Sequence, residues 1–225
     1  MFKPTLTENI SNKDRVAILG SSRGLGWSVY KELVSQFPEI QFFLSSRKIL
    51  DRQAEISDRT RLYAQDFSKA PVQAHFFNLL REFKPTRLIY VAGGGPHGPF
   101  AKKKWTDHMW SLTTSFLYPA ELLHLILSQI ENWPDLQSVV FVGSQIAEAN
   151  PDENAASYAA SKHALKGLIS TVQLENKSKP QVLLFSPGYM QTDLLPAESW
   201  PVQAGLAVNS GLVARQLIRF IEKNN

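Results

Sequence analysis

The chain contains no cysteine. That one absence removes disulfide frameworks, thiolate zinc sites, iron-sulfur ligation and cysteine nucleophiles. Long apolar runs are missing as well: none approaches the ~20 residues that span a bilayer, and the opening MFKPTLTENISNKDR has no apolar signal-peptide core. A soluble, cytoplasmic protein with no membrane partner is expected. Charge of one sign is equally scarce, with 24 Lys and Arg against 20 Asp and Glu and a net charge of +4. The basic residues are scattered apart from Lys102, Lys103 and Lys104, a run that reads as an exposed helix start, so no stripe exists to track nucleic acid. None of the five histidines has metal-ligand spacing, and no metal site is expected.

What remains is the composition of an ordinary folded protein, 44% hydrophobic and 20% charged over 225 residues, enough for one large domain behind a polar arm at residues 1–13. DRVAILG (Asp14 to Gly20) is a short apolar run closed by glycine, and from Gly24 to Phe37 the apolar residues recur at helical spacing until Pro38. The same strand-like pattern returns at Ile40 to Ser46, Thr60 to Asp66, Arg87 to Gly93, Ser138 to Ser144 and Gln181 to Pro187, with helix-length segments between. Near-continuous apolar runs suit strands buried on both faces, so the fold class is α/β: about six parallel strands covered by helices on each side.

The first strand leads into Gly20-Ser21-Ser22-Arg23-Gly24-Leu25-Gly26, a spacing that lets backbone amides and a helix N-terminus approach a pyrophosphate. A tight glycine turn would explain it equally well in isolation. Where NAD-binding folds place an acid after the second strand, this chain has Ser45-Ser46-Arg47. Arg47, with Arg23 from the glycine turn, can pair with a 2′-phosphate through the guanidinium fork.

The segment NAASYAASKHALKGLISTVQL reads as a helix, so Tyr158 and Lys162 share one face. A neighbouring ammonium favours phenolate and brings the phenol nearer to acid/base work at neutral pH. Ser144 ends the fifth strand, where an open parallel sheet has its crevice, and its hydroxyl can donate to a substrate carbonyl.

With GSSRGLG, AQD, VAGG, VGS, YAASK and PGYMQT in this order between Gly20 and Thr192, the chain resembles the short-chain dehydrogenase/reductase family. The resemblance implies a Rossmann-type doubly wound sheet of order 3-2-1-4-5-6 and a nicotinamide cofactor. It implies Tyr158 as the catalytic acid, Lys162 as the residue that tunes it and holds the nicotinamide ribose, and Ser144 as the group that orients the carbonyl. Asp66 would lie by the adenine and Thr192 at the carboxamide. Ala92 and Gly93 would line the cofactor trench with Gly20, Ser22, Arg23, Gly24, Leu25, Gly26, Ser46, Arg47, Phe67, Pro187, Gly188 and Met190. The serine-arginine pair is similar to that of NADP(H)-preferring members, so the function implied is NADP(H)-dependent reduction of a ketone or aldehyde, or oxidation of the alcohol. A catalytically impaired NADP(H)-binding regulatory or scaffold protein is the alternative.

The chain departs from the family pattern in three places. Leu19 stands where threonine is common, and Tyr90-Val91-Ala92-Gly93 lacks the usual asparagines. In the helix after the fourth strand, Ser111 takes the place of the asparagine that holds a relay water. The family's C-terminal strand is absent, the last element being a helix from Asn209 to Lys223, and the link from Thr192 is short. A small lid follows, its apolar face made by Leu194, Leu195, Pro196 and Trp200 over a compact, mostly apolar pocket. His97 is read as solvated, with a second acid/base role as the alternative. A homodimer is expected on SFLYPAELLHLILSQI and the Tyr158 helix, because Leu117, Leu122, Leu123, Leu125, Ile126, Leu127 and Ile130 spread around most of one helix.

Overall fold

The computed structural model describes residues 9–149, 152–193, 195 and 197–224, and the backbone alone at Ile146. Leu194 and Pro196 of the expected lid, and residues 1–8 of the arm, lie outside the described residues. The chain runs β1 (Arg15–Leu19), α1 (Gly24–Gln36), β2 (Gln41–Ser45), β3 (Thr60–Tyr63), α2 (Ala74–Phe83), β4 (Arg87–Tyr90), α3 (Trp105–Leu112) and α4 (Tyr118–Leu127). It continues as β5 (Ser138–Val142), α5 (Gln145–Glu148), α6 (Ala156–Glu175), β6 (Gln181–Phe185), β7 (Met190–Gln191), α7 (Trp200–Gln203), β8 (Val208–Asn209) and α8 (Ser210–Lys223).

Six parallel strands form one sheet in the order β3-β2-β1-β4-β5-β6. Each strand is one to three residues shorter at its carboxyl end than its apolar run, because the chain turns out of the sheet there and opens a crevice. Successive residues serve opposite faces. Val16 and Ile18 of β1 join Phe42, Ile89 and Val140 in a core completed by α1 and α8, which pack on each other. Ala17 and Leu19 join Phe43, Leu88, Val139 and Phe141 in a second core under α2, α4 and α6. This double burial explains the uninterrupted apolar runs; truncating a central residue such as Ile18, fully buried, to alanine costs about 2–5 kcal/mol.

Two findings depart from the sequence expectation. β7 and β8, two residues each, pair in a separate parallel ribbon beyond the main sheet, and so short an element leaves no periodic signal. The apolar ring of α4 is largely consumed inside the molecule: Leu122, Leu123 and Ile126 are buried, and Leu125, Leu127 and Ile130 pack against the same core. Leu117, which precedes α4 in a π-helical turn over Thr113–Leu117, is the member of that set left exposed, at 42%.

Candidate active site

Strand order reverses between β1 and β4, so their carboxyl ends diverge and leave a trench. Gly20, the first residue after β1, has φ +99°, and a Cβ there would lie 2.4 Å from the Ala92 amide nitrogen. Only glycine fits both constraints. Beyond it α1 starts at Arg23, an extended N-cap with no side-chain cap bond, and has no acid in its first turn. Its first amides and the positive end of its dipole therefore face the trench without an internal partner, which suits an anion. A Cβ at Gly26 would lie 2.4 Å from the Gly20 carbonyl oxygen; that glycine packs the helix onto the turn and does not line the trench.

The trench, about 480 Å³, is lined by every other cofactor-side residue picked from the sequence. Lys48, Ser68, Trp110, Thr114 and Asp193 line it too, without a local motif to announce them. Arg23 Nη1 lies 3.0 Å from Asp193, and Arg47 Nε 4.0 Å from Asp66; both arginine side chains are more than half exposed, so little cost attends their redirection to a ligand. Partial burial works against ionised Asp66, but two hydrogen bonds from Ser68 and the charges of Arg47 and Lys69 win and hold its carboxyl below the ordinary value. Arg52, also unannounced, donates to the Ser22 carbonyl at 2.9 Å and lies over the Trp27 ring, bracing the glycine turn from behind. Uncapped amides, a glycine cradle and the cations Arg23, Arg47 and Lys48 on the lining fit a nicotinamide dinucleotide.

Ser144 follows β5 and Tyr158 and Lys162 lie one turn apart on α6, brought together because β5 and α6 meet at this crevice. The Ser144 hydroxyl is hydrogen-bonded to Tyr158. Lys162 is 3% exposed, and its Nζ donates to the Val142 carbonyl at 2.7 Å and sits 5.7 Å from the centre of the Tyr158 ring. Burial lowers the Lys162 ammonium to about 8, opposed by the charge of Glu148. The phenol of Tyr158 is raised, first by burial and then by Glu148, with the Ser144 hydrogen bond pulling the other way. At Tyr158 burial outweighs the Ser144 hydrogen bond, and the Lys162 ammonium donates to Val142.

A second cavity, about 380 Å³, opens on the far side of Tyr158. Tyr189, Leu195 and Trp200 line it, as do His97, Asp152, Glu153 and Glu198. Tyr189 donates its hydroxyl to Asp152 at 2.7 Å, which raises the phenol together with burial. Ser144 and Tyr158 line both cavities.

Ser111 does not reach either cavity. Its hydroxyl is buried and donates to the Gly94 carbonyl at 2.8 Å, whereas Ser115, from the π-helical turn, accepts from the Gly94 amide at 3.1 Å. A Cβ at Gly93 would lie 3.2 Å from Lys162 Nζ and 3.3 Å from Ser115 Oγ, so both groups close on the same side of Gly93, although Ser115, like Ser111, lines neither cavity. His108, buried on α3, bonds Ser157 through Nδ1 and the Phe100 carbonyl through Nε2, pinning α3 against α6 next to Tyr158.

The sequence profile described as short chain dehydrogenase matches residues 14–200. The chain belongs to the short-chain dehydrogenase family. It is therefore an oxidoreductase of that family, on a Rossmann-type sheet. Among solved structures, BdcA in complex with NADPH superposes with a TM-score of 0.77 at 18% identity, covering 93% of this chain and 87% of that one. A short-chain dehydrogenase from Burkholderia cenocepacia J2315 in complex with NADP gives 0.72 at 20% identity, covering 95% and 92%. A short-chain dehydrogenase/reductase from Saccharomyces cerevisiae gives 0.76 at 19%, covering 94% and 91%. At these identities the likeness is one of fold. No curated protein matches the chain. Among the described residues, no helix is long and apolar enough to cross a membrane and no cluster of His, Asp and Glu could hold a metal ion.

Proposed function

We propose that this short-chain dehydrogenase is an NADP(H)-dependent carbonyl reductase acting on a small ketone or aldehyde. One observation carries the reading: Ser144 and Tyr158 line both the trench that fits a dinucleotide and the cavity beyond it, with Lys162 behind the tyrosine. When bound, the cofactor supplies the hydride for the carbonyl carbon. Tyr158 gives its phenolic proton to the carbonyl oxygen as the alcohol forms, and Ser144 orients that oxygen by hydrogen bonding. Lys162 stabilises the phenolate left behind, and Ser115, which closes on Gly93 from the same side as the lysine, is a second candidate beside Ser111 for proton resupply. Arg23, Arg47 and Lys48 would hold the 2′-phosphate, which supports NADP(H) over NAD(H).

The substrate cavity is lined by three carboxylates and, among the described residues, by no lysine or arginine. A neutral or cationic carbonyl compound fits it better than a keto acid. A panel of ketones and aldehydes, followed by NADPH absorbance, tests the reading: turnover of at least one supports it, and NADPH binding with no turnover favours a regulatory cofactor-binding protein instead.

A homodimer belongs to the same proposal. Trp105, Met109 and Leu117, at 65%, 37% and 42% exposure, form the unpaired apolar edge of α3 and the following turn, next to α4. Light scattering behind a sizing column checks it; a monomer at micromolar concentration refutes it.

A further inference from the structure

Glu148 is a carboxylate bonded to the backbone of Ser144, outside the lining of either cavity, that neither the sequence motifs nor the reaction above uses. It ends the single-turn helix α5, and its side chain is 8% exposed. Oε1 accepts from the Ser144 amide at 3.2 Å and from the Ser186 hydroxyl at 2.5 Å, and Oε2 lies 3.5 Å from Lys166 Nζ. A Cβ at Gly143 would come within 2.4 Å of both Glu148 Oε1 and Ser186 Oγ, so the strand end has no side chain where the carboxylate sits.

The arrangement frees the catalytic serine. Ser144 occupies the N-cap of α5, where a serine hydroxyl ordinarily accepts from the helix amides, yet it makes no side-chain cap bond. The amides on either side of it, from Gly143 and Gln145, bond to the carbonyls of Phe185 and Pro187. The amide of Ser144 itself goes to Glu148, which fixes the backbone from below and leaves the hydroxyl for Tyr158. We propose that Glu148 is a positioning residue that aims Ser144 at Tyr158 and, through a negative charge set behind the pair, keeps the phenolic proton in place for reduction to higher pH. The proposal rests on the carbonyl-reductase reading and extends it to the pH range over which reduction runs.

The electrostatic half follows from which groups face the carboxylate. Tyr158 and Lys162 feel its charge and Lys166 pairs with it, all three from α6, while Ser144 and Ser186 contribute only neutral donors. A buried carboxylate disfavours phenolate and favours ammonium, so it keeps the proton on both Tyr158 and Lys162. Reduction needs that phenolic proton; oxidation of the alcohol needs it gone. Removing the charge lowers both groups, and the basic limb of the reduction profile moves to lower pH.

The test uses Glu148→Gln, which keeps an acceptor for Ser144 and Ser186 and deletes the charge, beside Glu148→Ala, which deletes both, and Ser186→Ala, which keeps the charge. In Glu148→Gln the basic limb of kcat for reduction should move to lower pH with KM for NADPH unchanged. Glu148→Ala should show the same shift and lose a further tenfold or more in kcat, and Ser186→Ala should leave the limb in place. Lys166→Gln, on an exposed position, should raise the limb by a few tenths of a unit. Tyrosinate difference absorbance without cofactor, referenced to Tyr158→Phe, reads the same shift independently of turnover. If neither Glu148→Gln nor Lys166→Gln moves the Tyr158 titration, the proposal is overturned. If the titration moves but no carbonyl is reduced, the proposed reductase activity fails while the coupling stands.

Discussion

The two cavities that meet at Tyr158 are built in opposite ways. The trench is made largely of backbone, from the Gly20 turn, the uncapped start of α1 and the Ala92-Gly93 strand end, with cations added on its lining. The pocket beyond is made of side chains from segments far apart in sequence: Asp152 and Glu153 ahead of α6, and Tyr189, Leu195, Glu198 and Trp200 around β7 and α7. A polyanion needs amides and positive charge in a fixed geometry, and local glycine spacing delivers both. A substrate pocket needs shape and field, which only the assembled loops define.

If that contrast holds, substitutions on the two sides should separate cleanly, and Lys162, which lines the trench directly behind Tyr158, should have the largest effect. Lys162→Met should lower kcat on the order of a hundredfold or more and weaken cofactor binding. The same variant should be more stable than wild type at pH 7, by up to about 3 kcal/mol, because the fold lowers this ammonium from 10.5 to about 8. Below pH 8 both folded and unfolded chains hold the proton and the folded one bears the burial cost. Between pH 8 and 10.5 only the unfolded chain keeps it, so wild-type stability should rise with pH across that window while the variant stays flat. Denaturant titrations at pH 7 and 9.5 would show it.

Gly20→Ala probes the backbone character of the trench. With φ at +99° and the Ala92 amide 2.4 Å from the new Cβ, a loss of about 2 kcal/mol or more in unfolding free energy is expected. Arg47→Asp should cut the preference for NADPH over NADH at least about tenfold, measured by calorimetric titration of both, because a carboxylate replaces a phosphate partner. On the pocket side the effects should be small: Glu153→Gln with Glu198→Gln should improve KM for a carboxylate-bearing ketone by a few-fold and leave cofactor affinity unchanged.

The same division explains what could be read from the chain. Six strands and their order of burial were legible because each is an apolar run between turn residues, and the glycine turn and the Tyr158-Lys162 pair were legible because their spacing is local. Glu148 was not, since its hydroxyl partner Ser186 is 38 residues away. Ser115 was not singled out, because the family pattern was matched at Ser111 and nothing in the sequence announces the π-helical turn in which Ser115 lies. The apolar ring of α4 misled in a different way: periodicity says how many faces are apolar, and the packing of Leu125, Leu127 and Ile130 shows that one molecule covers most of them.

The central claim is that Tyr158 supplies the proton where trench and pocket meet. It is tested most directly by comparing wild type with Tyr158→Phe in NADPH-dependent reduction of the best carbonyl substrate, with NADPH affinity measured on both proteins. The account predicts a loss of turnover on the order of a hundredfold or more with cofactor affinity within about threefold. Turnover in the phenylalanine variant equal to wild type would contradict it.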